Sequence, residues 1–117
     1  MSVLRKGDGT LVAAQVELAD HLLKQMVGLM FRRGIPESYA MVFDLYLEQR
    51  ISIHMLFVPF PIDIVFLDRD RRIVDARQGL RPWIGLAFSR RPARYAIELP
   101  ARAIERHSLR EGDTLEW

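Results

Sequence analysis

Cysteine is absent from this sequence, which excludes disulfides, thiolate zinc sites and a cysteine nucleophile and leaves packing as the source of stability. Long apolar runs are missing too. The most hydrophobic stretch, Ile51 to Leu67, is interrupted by His54, Pro59, Pro61 and Asp63. It also falls short of the ~20 residues that a membrane-crossing helix needs, so it reads as buried strands and no membrane partner is expected. From Met1 to Gly9 the chain turns polar before the apolar core of a signal peptide could begin, which makes the cytoplasm the expected location. No repeat, low-complexity tract or Pro/Gly/Ser-rich linker marks an internal boundary.

What is present is the composition of one globular domain. The 117 residues are half hydrophobic and 27% charged, enough for one hydrophobic core and too few for two ordinary domains, so residues 1–117 are taken as a single unit. The formal charge of +2 is unevenly spread: Arg69 to Arg94 holds eight arginines against Asp70 and Asp75, a net +6, leaving −4 for the remainder. Such an asymmetry attracts anionic partners.

The elements read as short and closely spaced. Gly7-Asp8-Gly9 is a turn between a short N-terminal strand and a second strand near Leu11 to Leu18. Asp20 caps an expected helix in which Leu22, Leu23, Met26 and Met30 recur at helical spacing. Strands are expected over Met41 to Tyr46, Ile51 to Phe57, Ile62 to Leu67, Ile73 to Arg77 and Tyr95 to Leu99. A second helix is expected from Ala101 to His107, with Pro100 at its first turn, and a last strand over Thr114 to Trp117. Many strands with only two short helices predict a mainly β, α+β fold, a small barrel-like antiparallel or mixed sheet.

A hairpin centred on Pro59-Phe60 would put Ile53, Met55, Phe57, Ile62, Ile64 and Phe66 on the core side. The other side would carry Ser52, His54, Leu56, Asp63, Val65 and Leu67, with His54 and Asp63 diagonal neighbours at ~7–8 Å. A carboxylate that orients an imidazole can serve acid–base chemistry, so Asp63 and His54 are the catalytic candidates of a small-enzyme reading. The competing structural reading, which is preferred, has Asp63 accepting backbone donors and His54 as a hydrogen-bonded strand residue.

The basic segment between the strands ending at Arg77 and beginning at Tyr95 is too long for a tight turn. Trp83 lies in it among Arg81, Arg90, Arg91 and Arg94, a mixture that can stack on a planar ligand and neutralise an anion. A solvated loop with Trp83 tucked against the body of the domain is the plainer alternative. His21, His54 and His107 lie on different expected elements without metal-ligand spacing, so no metal is assigned. No phosphate-binding glycine loop, nucleophile elbow or nucleic-acid motif is visible, and no cofactor is expected.

Several segments follow one another as in a known family: Gly28-Leu29-Met30-Phe31-Arg32, Ala40-Met41-Val42-Phe43, His54-Met55, Pro61-Ile62-Asp63-Ile64-Val65-Phe66-Leu67-Asp68, Tyr95-Ala96-Ile97-Glu98-Leu99-Pro100-Ala101 and Gly112-Asp113. In order and spacing, from about Leu11 to Leu115, the chain resembles the prokaryotic family called domain of unknown function 192. The resemblance implies a small barrel-like β domain with short helices, and recurrent polar positions at Arg32, Asp63, Glu98 and Asp113. It implies no activity, substrate or cofactor. Many members carry Trp-Met-Lys-Asn-Thr where this chain has His54-Met55-Leu56-Phe57-Val58, and glycine where it has Arg102, a change that fits a helical reading there. The expected function is therefore a non-enzymatic ligand-binding or interaction domain. Its candidate ligand contacts are Arg32, Asp63, Trp83, Arg90, Arg91 and Arg94, and its candidate ligand is small or anionic. The Asp63/His54 enzyme and a weak nucleic-acid binder working through Arg69 to Arg94 are the alternatives.

Overall fold

In the computed structural model of the chain, residues 3–19, 29–30, 32–55 and 57–117 are described. The strands are β1 (Leu4–Lys6), β2 (Leu11–Ala13), β3 (Gln15–Ala19), β4 (Tyr39–Gln49), β5 (Ser52–His54), β6 (Ile62–Leu67), β7 (Ile73–Leu80), β8 (Leu86–Phe88), β9 (Ala93–Pro100) and β10 (Leu115–Glu116). Among the described residues there is one short helix, α1 (Ala103–Arg106). The fold is mainly β.

Strand β6 organises the rest. Five of its six residues are apolar and all six are buried, which demands hydrogen-bonding partners on both edges and cover on both faces. Antiparallel β9 and β7 supply the edges. The central sheet that results has the order β3-β4-β9-β6-β7. Its side chains alternate between two cores: on β9, Ile97 and Leu99 enter one and Ala96 the other. The first core is closed by the sheet β10-β1-β2 and by α1, through Leu4, Val12, Leu115 and Ile104. The second is closed by the two-stranded sheet β5-β8 with its connections, through Met55, Val58 and Ala87, and by Leu29.

This arrangement corrects several expectations. The sheets do not close into a barrel; β3 and β7 are the outer strands of the central sheet, and small sheets cover its faces instead. The hairpin between Ile51–Phe57 and Ile62–Leu67 does not form, because a strand buried on both faces takes long-range partners and β5 pairs with β8. The strand expected over Leu11 to Leu18 breaks at Ala14. There the Ala14 and Gln15 amides both turn to the Ser38 carbonyl, at 3.0 and 2.9 Å, so that β2 pairs with β1 and β3 runs parallel to β4. The basic loop contains β8, whose Leu86 and Phe88 face outward while Ala87 is buried, an alternation hidden by the residues around it. The helix expected to follow Asp20 falls on residues 20–28, outside the described residues.

Helix α1 is shorter than the expected span from Ala101 to His107, and Arg102 is not part of it. Arg102 has φ 72° and gives the helix no side-chain cap. Asp63, fully buried on β6, supplies what is missing: one carboxylate oxygen accepts the Ile104 amide at 3.0 Å and the other the Gly79 amide at 2.9 Å. One side chain thus satisfies an orphan donor of the helix's first turn and fixes the end of β7.

Two stability outcomes are expected. Asp63→Ala strands two donors and costs about 3 kcal/mol or more in urea unfolding, with Asp63→Asn less harmful because it keeps one acceptor. Arg102→Gly removes left-handed strain and raises stability by about 0.5–1 kcal/mol, a gain that an Arg102→Ala control does not share.

Candidate functional site

Asp63 and His54 are not brought together. Asp63 is sealed on the α1 side of the central sheet, with both oxygens occupied by backbone amides. His54 is exposed on β5, opposite Leu86 in the other sheet. The acid–base pair of the small-enzyme reading, and the ligand role of Asp63, therefore lose their geometric basis, and the structural role of Asp63 takes their place.

The arginines of the basic segment divide into two groups. Asp75, on β7 and fully buried, accepts Arg77 at 2.7 Å, the Arg90 guanidinium at 2.9 and 3.2 Å, and the amides of Ala76 and Arg90. Burial works to raise the Asp75 pKa, but the hydrogen bonds from Arg90 and Ala76 and the Arg77 charge together outweigh it and hold the carboxyl below its ordinary value. Arg90 also meets Glu111 at 3.4 Å. Arg94 grips both oxygens of Asp44 at 3.1 and 3.2 Å and lies over the Tyr95 ring, while Arg71 stacks on Trp117 at 3.8 Å. Arg90 and Arg94, two of the expected ligand contacts, thus brace the fold. Arg81 and Arg91 are exposed and make no ion pair among the described residues, and the same holds for Arg50 beside β5.

These free arginines accompany an aromatic platform. The connections after β5 and before β8 are zipped together: the Met55 amide donates to the Gly85 carbonyl at 2.9 Å and the Trp83 amide to the Val58 carbonyl at 3.1 Å. Gly85 permits the approach, since a Cβ there would lie 2.6 Å from the Arg81 carbonyl oxygen and 2.8 Å from Met55. Phe57 and Trp83 result as an edge-to-face pair, ring centroids 6.0 Å apart, and Trp83 is 52% exposed. Both residues have positive φ, 61° and 67°, a placement that costs bulky residues about 1–3 kcal/mol. Trp83 is therefore displayed, against the plainer expectation that it would be tucked in. Ile84, Leu86 and Phe88 extend the apolar surface.

The opposite edge of the second core holds a separate polar group. Arg32 donates one nitrogen to both Glu17 oxygens at 3.0 Å and the other to the Tyr39 hydroxyl at 3.1 Å, and Tyr39 donates to Glu17 at 2.6 Å. Burial, followed by the Glu17 hydrogen bond, pushes the Tyr39 phenol above its ordinary value. Glu98 faces the same core, flanked in register by Met41 and Ile64. It is 5% exposed and makes no hydrogen bond or ion pair among the described residues. Burial pushes its carboxyl up to about 7, against a smaller downward pull from the Arg32 charge. Arg32 thus holds the fold together through Glu17. Glu17 and Tyr39 were missed in the sequence, where nothing in their local pattern singles them out, and Phe57, expected on the core side of a hairpin, is instead exposed. In the sequence Glu98 stands out only as a recurrent polar position of the resembled family, although a lone glutamate between Ile97 and Leu99 in an apolar strand is a legible signal of a buried charge.

Comparisons with known proteins agree with this architecture. The chain matches DUF192, described as Uncharacterized ACR, over residues 3–117, and it belongs to that family. A UPF0127 protein of Pyrococcus furiosus is 40% identical over 111 residues, covering 93% of this chain and 91% of its own. One from Thermococcus sibiricus is 35% identical over 117 residues, covering 98% and 73%. Among solved structures, a candidate transcription regulator of Sinorhizobium meliloti superposes with TM-score 0.87 at 28% identity, over 97% of this chain and 89% of its own. A protein of unknown function from Novosphingobium aromaticivorans gives TM-score 0.82 at 26% identity, over 87% and 74%. No helix among the described residues is long and apolar enough to cross a membrane.

The raised Glu98 pKa fixes a sign for the pH dependence of stability. From about 4.5 to about 7 the folded chain keeps a proton that the unfolded chain has released, so stability falls as pH rises through that window. At ~1.4 kcal/mol per unit the loss totals about 3 kcal/mol. Asp75 and Asp44 act oppositely: their lowered pKa values stabilise above the ordinary carboxylate range, and that contribution is lost on acidification. Urea unfolding of Glu98→Gln is expected to show no decline between about pH 5 and about pH 8, whereas the parent chain declines; equal slopes in the two proteins would contradict the assignment.

Proposed function

We propose that the chain is a non-enzymatic binding domain that holds a planar, anionic ligand of the nucleotide type against Trp83 and Phe57. The observation that carries this reading is one of charge. The residues from 49 to 62 and from 76 to 97, which form the small sheet, its connections and the strands that flank it, contain Arg50, His54, Arg77, Arg81, Arg90, Arg91 and Arg94 and no aspartate or glutamate. Carboxylates from outside these segments, Asp75, Asp44 and Glu111, neutralise Arg77, Arg90 and Arg94. Arg50, Arg81 and Arg91 keep their charge for a partner, Arg81 two residues before Trp83 and Arg50 and Arg91 beyond the other end of the small sheet. Stacking on an aromatic face contributes about 1–3 kcal/mol per base and tolerates any base, while guanidinium groups engage phosphate. An apolar surface of this extent on a small domain is itself a mark of interaction.

The same chemistry is found in a mononucleotide and in a single strand. The description of the Sinorhizobium meliloti relative as a candidate transcription regulator favours the strand, and a nucleic-acid ligand is the second arm of the test.

The test is direct binding of AMP, ATP and a fluorescein-labelled single-stranded oligonucleotide. Trp83→Ala, and separately Arg81→Ala with Arg91→Ala, are expected to weaken binding at least about tenfold while moving unfolding free energies by no more than about 0.5 kcal/mol. A steep salt dependence for the oligonucleotide alone would identify the single strand as the ligand. Failure of every probe to bind, or binding that survives both variants, would overturn the proposal.

A further inference from the structure

The exposed arginines that make no ion pair around the small sheet stand at its opposite ends, and their separation bears on the length of the ligand. The ladder between β5 and β8 starts where the Met55 amide donates to the Gly85 carbonyl at 2.9 Å and ends where the Ser89 amide donates to the Ile51 carbonyl at 2.8 Å. His54↔Leu86, Ile53↔Ala87 and Ser52↔Phe88 stand in register between them. Four steps of about 3.4 Å make the ladder about 13 Å long. Ile53 and Ala87 turn inward to the second core, while Ser52, His54, Leu86 and Phe88 are exposed on the other face.

Each end of that face carries a ring and a guanidinium. Beyond Gly85 come Trp83, 52% exposed, and Arg81. At the other end Phe88 is 60% exposed, and Arg50 and Arg91 follow outside the ladder. Leu86, also exposed, lies between the two ends. The carboxylates that flank these segments in sequence are engaged or buried: Glu48 accepts the Arg69 amide at 3.3 Å, Asp75 holds Arg77 and Arg90, and Asp63 and Glu98 lie within the central sheet. Positive charge at both ends, with no carboxylate in either segment, selects a polyanion over a protein surface of mixed charge.

A single nucleotide is too short to serve both ends. From Gly85 to Phe88 is three steps, about 10 Å, with Trp83 farther out, whereas neighbouring phosphates of a stacked strand are about 3.4 Å apart along its axis. We infer that the ligand is a single strand of nucleic acid at least about four nucleotides long, laid along the outer face of β8. One base lies on Trp83 and another on Phe88, with phosphates held by Arg81 at one end and by Arg50 and Arg91 at the other. The inference rests on the nucleotide reading above and adds to it a length, a path and a second ring. Ring faces and phosphates are common to DNA and RNA, so both satisfy this chemistry. Occupying two linked stations at once raises affinity about a hundredfold or more over either alone.

The experiment is an anisotropy titration with fluorescein-labelled thymidine oligonucleotides from two to ten nucleotides long, bracketing the smallest single-strand sites of about four. AMP binding is followed by calorimetry, and a uridine hexanucleotide separates RNA from DNA. Affinity is expected to rise at least about a hundredfold from AMP to the thymidine hexanucleotide and to change little at greater length. This series uses the parent chain alone and depends on no variant's folding. Phe88→Ala, and separately Arg50→Ala with Arg91→Ala, weaken the hexanucleotide at least about tenfold more than they weaken AMP. The arginine pair also lowers the salt slope of the hexanucleotide by about 1.4. Affinity that does not grow beyond the mononucleotide overturns the inference, as do variants at the Phe88 end that weaken AMP and the hexanucleotide by one factor. A dimer of this chain, seen in sedimentation, that Phe88→Ala dissociates and the hexanucleotide does not, overturns it too. In each of those outcomes, AMP binding that Trp83→Ala weakens leaves the nucleotide reading standing, so the two fail separately.

Discussion

Burying β6 on both faces is the constraint from which the architecture follows. A strand of this kind cannot lie at an edge or present a polar side to water, so the chain must bring β7 and β9 to its flanks and a covering layer to each face. The single polar residue in that strand, Asp63, turns the constraint into a junction. Its two oxygens serve a helix and a strand end that are distant in sequence, so the same residue that would be costly if unsatisfied becomes the tie between central sheet and first core. The two small sheets complete the cover, and the character of each follows from which core it closes.

The surface of the domain is shaped by how its arginines are partnered. A buried aspartate, Asp75, gathers Arg77 and Arg90, and Asp44 takes Arg94. Charge that looks concentrated in the sequence is in this way partly neutralised by carboxylates folded in from other segments. What remains is the charge of Arg50, Arg81 and Arg91, and two rings at positive φ on connections tied together by backbone hydrogen bonds. The β5-β8 sheet therefore closes a core on its inner side, through Ala87, and displays the apolar side chains of Leu86 and Phe88 on its outer one.

Glu98 sits at the other limit of the same principle. It is accommodated in the second core without a described partner, at a cost that grows as it ionises. Most core positions in such a strand would be more stable with an aliphatic side chain. The neighbouring arginine is engaged by Glu17 and Tyr39, so Glu98 lies in this core without an ion pair among the described residues.

The sequence by itself determined what is local or compositional. Dense β patterning gave a mainly β domain. The run from Ile62 to Leu67, apolar but for Asp63, gave β6 to the residue, the order of short segments gave the family, and the turn signals gave the flanks of β1 and the C-terminal strand. Tertiary structure alone decided pairing, because strand partners are chosen by which faces must be buried and not by proximity along the chain. For that reason the Pro59-Phe60 hairpin, the barrel closure and the Asp63/His54 pair all failed together: each rested on β5 folding back onto its neighbour. The division of arginines into bracing and free, and the isolation of Glu98, were likewise invisible in the sequence, since an ion pair between residues fifty positions apart leaves no trace in spacing, composition or periodicity.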